Sequence, residues 1–412
     1  MIIIFRYHSI MFPAVLTTLL LALSIAASPV EIRDSPITLP IARRLNTSGG
    51  TMNLLQHDQS RATALKAFGR DSLGRRSGSI PVTNDAVDYV ASVGIGNPAT
   101  TYNLIVVNSC SITCVDATTY VKTSTSVDTG KAIAVTYGSG SLSGTEYTDT
   151  VTLGSELTII QQPIVVASTS FGFTGVDGVL CIGPLDLGEV QADPSTTIPT
   201  VTDNLYSQGI ISQIVVGISF EPTTSESDTN GELTFGGTDA TKYTGAIAYT
   251  PLTTTYPSSY YWGINESITY GTTTILSETA GIIDTGTTLI LIATNAFSLY
   301  QSATGATLDD TTGLLRITST QYSALENLNF NVGSSTYALT PNGQIWPRSL
   351  NTYIGGSTSY IYLIVNSIGT PSGEGLDFIN GYTFLERFYT VLDTTNSQVG
   401  FATTAYTNAT TN

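Results

Sequence analysis

From Asp88 onward the chain is written in short runs of Thr, Ser, Val, Ile and Tyr, broken about every 8–12 residues by Gly, Asn or Asp. This rhythm constrains the fold more than any other feature of the sequence. β-Branched and aromatic residues suit a pleated, half-buried surface, and the breakers supply turns. "YVASVGIG", "TYNLIVV", "AIAVTYGSGSLSGTEYTDTVTLG", "IIQQPIVVAS" and "GELTFGG" all read as strands and hairpins. Helical spacing is rare in this part; "VTDNLYSQGI", "TNAFSLYQSATG" and "QYSALENL" read as short helices. The expected class is all-β with a few short helices. A length of 412 residues leaves room for two lobes and a substantial core.

The N-terminal part reads differently. Arg6, an apolar stretch from Phe12 to Leu23 and the small residues of "SIAAS" predict a signal peptide over 1–27. A membrane anchor is the rival reading, but Pro13, Thr17 and Thr18 interrupt the run. A propeptide is expected over 28–76, in which "MNLLQHDQSRATALKAFGR" has helical spacing with basic residues on its polar side. Arg75-Arg76 is the expected processing site, so the body is placed at 77–412.

Charge divides the chain at the same place. Through Arg76 there are 9 Lys/Arg and 4 Asp/Glu; the remainder holds 6 basic and 27 acidic residues. An acidic body of this kind repels nucleic acid and anionic membranes, and it suffers less self-repulsion in acid. A removable basic leader on it suggests a segment that neutralises part of the body. The polar ending lacks a lipid-anchor tail, so the expected product is secreted, extracellular and monomeric, with no membrane contact once the signal is gone.

Both histidines, His8 and His57, lie in the leader. A body without histidine excludes Ser–His and Cys–His catalysis and His-ligated zinc. Carboxylates are nearly the only groups left for acid–base work. No metal or organic cofactor is expected. Cys110, Cys114 and Cys181 form an odd set with no metal-like spacing. They read as buried and inert, although export would permit one disulfide. Asn46, Asn265 and Asn408 stand in glycosylation sequons.

Chemistry points to "AGIIDTGTTLILI" (280–292). Asp284 ends a buried apolar run, where a carboxylate is unfavourable unless hydrogen-bonded. Gly286 allows a tight turn that brings backbone N–H groups to it, and Thr285 and Thr287 offer hydroxyls.

With these residues the chain resembles a pepsin-family aspartic peptidase of the kind secreted by fungi. "DYVASVGIGNPATTYNLIV" is similar to the family's first strands. "VTYGSGSLSGTEYTDTVTLG" is similar to its flap hairpin, with Tyr137 as the flap tyrosine and Gly138 beside it. "GVDGVLCIGP" and "FLERFYTVLDTTNSQVGFA" resemble later family segments. The resemblance implies a bilobal fold, two β-barrel-like lobes around a central cleft. The lobes would fall at about 77–250 and 251–412. It also implies an aspartate from each lobe, the pair sharing one proton and activating a water. Tyr137, Gly138, Gly286 and Thr287 would contact a peptide in the cleft, and the chain's own propeptide would be a further partner.

The first catalytic motif departs from the family. An ungapped alignment of the two halves sets Val107 opposite Asp284, Asn108 opposite Thr285 and Ser109 opposite Gly286. The family pattern there reads Asp-Thr-Gly-Ser-Ser, with Trp where this chain has Cys114. Valine therefore replaces the first aspartate. Asn108 replaces a threonine that would brace the opposite lobe, and Ser109 a glycine that the turn needs. Reversal is expected to require all three positions together. A second "DTG" at Asp128 sits in polar surroundings and reads as the turn into the flap hairpin; Asp116 lies beyond the turn.

Three functions follow. The first is a non-catalytic homologue whose cleft binds peptides, proteins or glycans, with Asp284 titrating alone. The second is an acid endopeptidase of unusual geometry, or a misread loop, although intact flanks argue against a frameshift. The third is an inert secreted or wall protein.

Overall fold

The computed structural model describes residues 36–45, 51–71, 87–136, 141–154, 156–171, 175–184 and 198–412. The expected signal peptide, Arg75-Arg76, Asn46, Tyr137 and Gly138 lie outside them. The chain is mainly strands, as its rhythm predicts.

In chain order the strands that position the site are β1 (Ile37–Leu45), β2 (Val87–Ile95), β3 (Thr100–Val107), β4 (Cys114–Asp116), β5 (Val127–Thr136), β6 (Ser141–Gly154), β7 (Leu157–Phe171) and β8 (Gly178–Cys181). β9 (Val215–Phe220), β10 (Ser227–Phe235), β11 (Thr244–Pro251), β12 (Gly263–Tyr270), β13 (Thr273–Ile283) and β14 (Ile290–Ile292) follow. β1 to β11 join Phe388–Asp393 and Gln398–Thr403 in a 13-stranded sheet. β12, β13 and β14 belong to a seven-stranded one.

The same strand arrangement occurs once in each half. β3 runs parallel to β8, which is antiparallel to β4, which is parallel to β7. β13 runs parallel to Phe378–Asn380, which is antiparallel to β14, which is parallel to Val365–Ser367. Both β3 and β13 are almost wholly apolar near their ends, as strands covered on both faces must be. Each ends in a loop that faces the other.

Three short helices were expected in the body. Val201–Ser207 and Thr294–Thr304 form, the first with a capping box built by Thr200 and Asp203. The third is one turn at Ser319–Tyr322 with no buried residue of its own, and the buried Leu325 and Leu328 follow it outside the helix.

The leader is part of the architecture. β1 lies between β10 and β2, antiparallel to both, and buries Leu39 and Ile41. This strand was not legible in the sequence, since "ITLPIARRL" contains a proline and two arginines. Pro40 is accommodated because pairing with β2 begins only at Ala42. Arg43 is buried with its Nε 3.3 Å from Glu386, and it donates to the Thr223 carbonyl at 3.0 Å. The expected leader helix, α1, spans Leu54–Asp71. Asn53 caps it by accepting from the Gln56 N–H at 3.0 Å. Leu54, His57, Asp58, Arg61, Ala62 and Leu65 form its buried stripe. Half of that stripe is titratable, so the surface beneath it has to be polar.

Candidate active site

The two loops meet through residues 108 and 285. The Thr285 N–H donates to Asn108 Oδ1 at 2.9 Å, and the Asn108 N–H donates to Thr285 Oγ1 at 3.1 Å. Asn108 Nδ2 donates to the Ile283 carbonyl at 3.1 Å, and Thr285 Oγ1 to the Val106 carbonyl at 2.9 Å. All these groups are buried, so each bond satisfies a donor or acceptor that has no water. The brace expected to be missing at Asn108 is therefore present. A hydroxyl accepts and donates through one atom; the amide does the same through two. Thr285 is spent on this brace and does not hydrogen-bond Asp284, contrary to the sequence expectation.

Asp284 is fully buried at the end of β13. Its Oδ1 accepts from the Gly286 N–H at 3.2 Å and its Oδ2 from Thr287 Oγ1 at 2.6 Å, as the motif predicts. The pseudo-symmetric position on the other loop is Val107, which packs in a cluster with Ile105, Cys110, Ile112 and Cys181. It is buried, 5% exposed, and offers methyl groups where Asp284 offers a carboxylate.

The counterpart of Thr287 is Cys110. The Thr287 carbonyl accepts from the Tyr382 N–H, and the Cys110 carbonyl from the Gly183 N–H, each at 2.8 Å. Thr287 uses its side chain on Asp284, whereas Cys110 is joined to Cys181 by a disulfide. Cys110 therefore offers the residue at 107 no hydroxyl of the kind that Thr287 gives Asp284. All three cysteines are buried, and the disulfide joins Cys110 and Cys181. The reading of inert cysteines is corrected for those two. Spacing alone did not show that β3 and β8 run side by side with Val107 opposite Cys181.

The remaining ligand of Asp284 comes from the leader. Arg61 Nε donates to Oδ2 at 2.5 Å, and Nη2 donates to Oδ1 at 2.9 Å and to Ser109 Oγ at 2.6 Å. Burial alone would push the Asp284 carboxyl up. The Arg61 charge and hydrogen bond, then Thr287 and Gly286, outweigh burial and hold it below its ordinary value. Three residues earlier, Asp58 accepts from the Thr288 N–H at 3.3 Å and the Leu289 N–H at 2.7 Å. His57 Nδ1 lies 2.9 Å from Asp58 Oδ1. Sequence reasoning missed these leader residues. It saw a basic helix but had no means of choosing which of its faces turns inward.

The other carboxylates considered stay out of the site. Asp128 accepts from Tyr147 Oη at 2.8 Å and from the Gly130 N–H at 2.9 Å on an edge strand. Asp116 accepts from the Thr118 N–H and hydroxyl. Among the described residues no group of three or more His, Cys, Asp or Glu is placed to hold a metal, and no helix is long and apolar enough to cross a membrane.

The chain is similar over most of its length to proteins of known family. The family model described as eukaryotic aspartyl protease matches residues 88–404. Polyporopepsin of Irpex lacteus is 62% identical over 340 residues, covering 82% of this chain and 100% of that protein. Pepsin A of Sus scrofa is 27% identical over 338 residues, covering 77% and 82%. The crystal structure of an aspartic proteinase from Irpex lacteus superposes with a TM-score of 0.79 at 55% identity, covering 92% of this chain and all of that one.

Proposed function

The chain belongs to the eukaryotic aspartyl protease family, and from that premise we propose that it is a secreted, pepsin-like member with a disabled peptidase centre. Its cleft serves to bind peptide. Peptide-bond hydrolysis in this fold needs a base for water and an acid for the carbonyl, supplied by two carboxylates that share a proton. The observation that carries the reading is Val107 at the position paired with Asp284, packed into an apolar cluster and followed by an intact brace. The scaffold that would present a second carboxylate is retained while the carboxylate is absent. Loss of one positioned acid–base group lowers a rate by about 10²–10⁴, and more where two groups act as a unit.

The leader supports a peptide-binding role. α1 fills the cleft with a polypeptide, and its contacts include Gln59 Nε2 to the Ser367 carbonyl at 2.8 Å and Tyr261 Oη to the Leu65 carbonyl at 3.0 Å. A cleft that accepts this helix has groups for main-chain and side-chain recognition without chemistry.

The test is cleavage of a protein substrate by the purified chain, before and after leader removal, from acid to neutral pH. An Asp284→Asn variant and a statine-type transition-state mimic serve as controls. No cleavage while the fold is intact is the expected result. Cleavage abolished by Asp284→Asn and by the mimic would establish the alternative, an active acid endopeptidase with unusual geometry.

A further inference from the structure

The centre of the cleft is shaped around a planar cation. Asp284 receives Arg61 side-on, one oxygen to Nε at 2.5 Å and the other to Nη2 at 2.9 Å. This is a two-point fork that a guanidinium matches and an ammonium does not. Ser109 Oγ accepts from the same Nη2 at 2.6 Å, and it comes from the opposite lobe. Gly286 supplies a flat floor. A Cβ there would lie 2.3 Å from Arg61 Nη2 and 2.5 Å from Cζ, so the guanidinium rests on space that any larger residue would fill.

Two of these features arise where the sequence departs from the family pattern. Val107 leaves one carboxylate, which matches one cation in charge. Ser109 in place of glycine adds the third acceptor. Degeneration of the first motif has thus removed one chemistry and left a complementary recognition surface. Arg61 and Asp284 are 1% and 0% exposed, so the pair is read in a site from which water is largely excluded.

We propose that Asp284, Ser109 and Gly286 form a receptor for a single guanidinium group, so that the peptide bound by this cleft carries an arginine at its centre. Arg61 of the leader occupies the receptor in the uncleaved chain, and an arginine of a second peptide takes the place once the leader leaves. The inference rests on the proposed reading of a non-catalytic, peptide-binding cleft. Asp58, held by the Thr288 and Leu289 N–H groups, marks a second recognised position three residues before the arginine.

The experiment uses the full-length chain with Arg61→Ala, which keeps the leader and opens a guanidinium-sized space. Thermal melting is followed while N-ethylguanidinium or ethylammonium is added. The expected result is a saturable rise in melting temperature with N-ethylguanidinium, at least about tenfold tighter than with ethylammonium. Adding Ser109→Gly should weaken that response, and adding Asp284→Asn should abolish it. Equal responses to both cations, or none in a folded variant, would overturn the receptor. If Arg61→Ala does not fold, full-length Arg61→Lys replaces it: a clear fall in melting temperature is expected, and a value equal to the parent would overturn the proposal. Cleavage of protein substrate by the parent chain would defeat the non-catalytic reading while leaving the guanidinium result unaffected. A folded, inactive chain that does not discriminate between the cations would do the reverse.

Discussion

Asn108 and Thr285 each accept the other's backbone N–H and each donate to a carbonyl of the opposite loop, although 177 residues separate them. The exchange holds the two lobes in register beneath the cleft. It is the arrangement expected under the proposed reading, in which the first motif lacks an acid and keeps its mechanical role.

The brace is therefore expected to respond to chemistry rather than to family likeness. Asn108→Thr should change stability by less than about 1 kcal/mol, because a hydroxyl provides both functions. Asn108→Ala leaves the Thr285 N–H and the Ile283 carbonyl buried without this partner, and should cost about 2–4 kcal/mol. Denaturant unfolding of both variants gives the comparison; equal losses would show that the hydrogen bonds contribute little.

Restoring catalysis should not need position 108. Val107→Asp alone is expected to remain near background, because Ser109 stands where the second loop has Gly286 and Cys110 provides no hydroxyl. Val107→Asp with Ser109→Gly should yield measurable acid peptidase activity, raised further by Cys110→Ser with Cys181→Gly. Full activity from the single replacement would show that the loop never diverged in shape.

The Arg61–Asp284 pair sets a pH dependence. A carboxyl held low in the fold adds stability above its unfolded value, near about 4, and loses it only as pH falls through the lower folded value. The leader should hence stay docked at mildly acidic pH, with release beginning only in strong acid. Arg61→Gln leaves a buried charge without its cation and should lower stability by about 3–5 kcal/mol at neutral pH, with a smaller deficit in acid as Asp284 protonates. Melting temperatures against pH would reveal the crossover, and parallel curves would argue against it.

Cys110–Cys181 closes a loop between residues 71 apart. Replacing both by serine should lower stability by about 3–5 kcal/mol on loop-closure grounds. Melting with and without reductant checks this, since the double variant should be insensitive to reductant. A parent chain that melts identically in both conditions would count against a structural role.

Glu266 gives a change of opposite sign. It is fully buried on β12, and burial raises its carboxyl to about 8, against a hydrogen bond at 2.9 Å from Asn380 Nδ2 that lowers it. The fold keeps the proton that the unfolded chain gives up, so stability should fall as pH rises from about 4.3 through about 8. Glu266→Gln should flatten that decline, and an unchanged slope would place its origin elsewhere.

The sequence by itself determined the strand-rich class, the leader helix, the position of Asp284 and the valine that stands at 107. These follow from local properties: alternation, turn residues, and an acid at the end of an apolar run. It also located the correct short helices at Val201–Ser207 and Thr294–Thr304. Only the tertiary structure decided that Asn108 still braces Thr285, that Cys110 meets Cys181, that β1 enters the main sheet, and that Arg61 rather than another leader cation reaches Asp284, 223 residues away. Residue identity fixes what a side chain can donate, accept or neutralise. Which partner it meets depends on how the two repeated strand arrangements bring distant chain ends to one buried place, and there the unfavourable burial of an unpaired polar group selects the pairing.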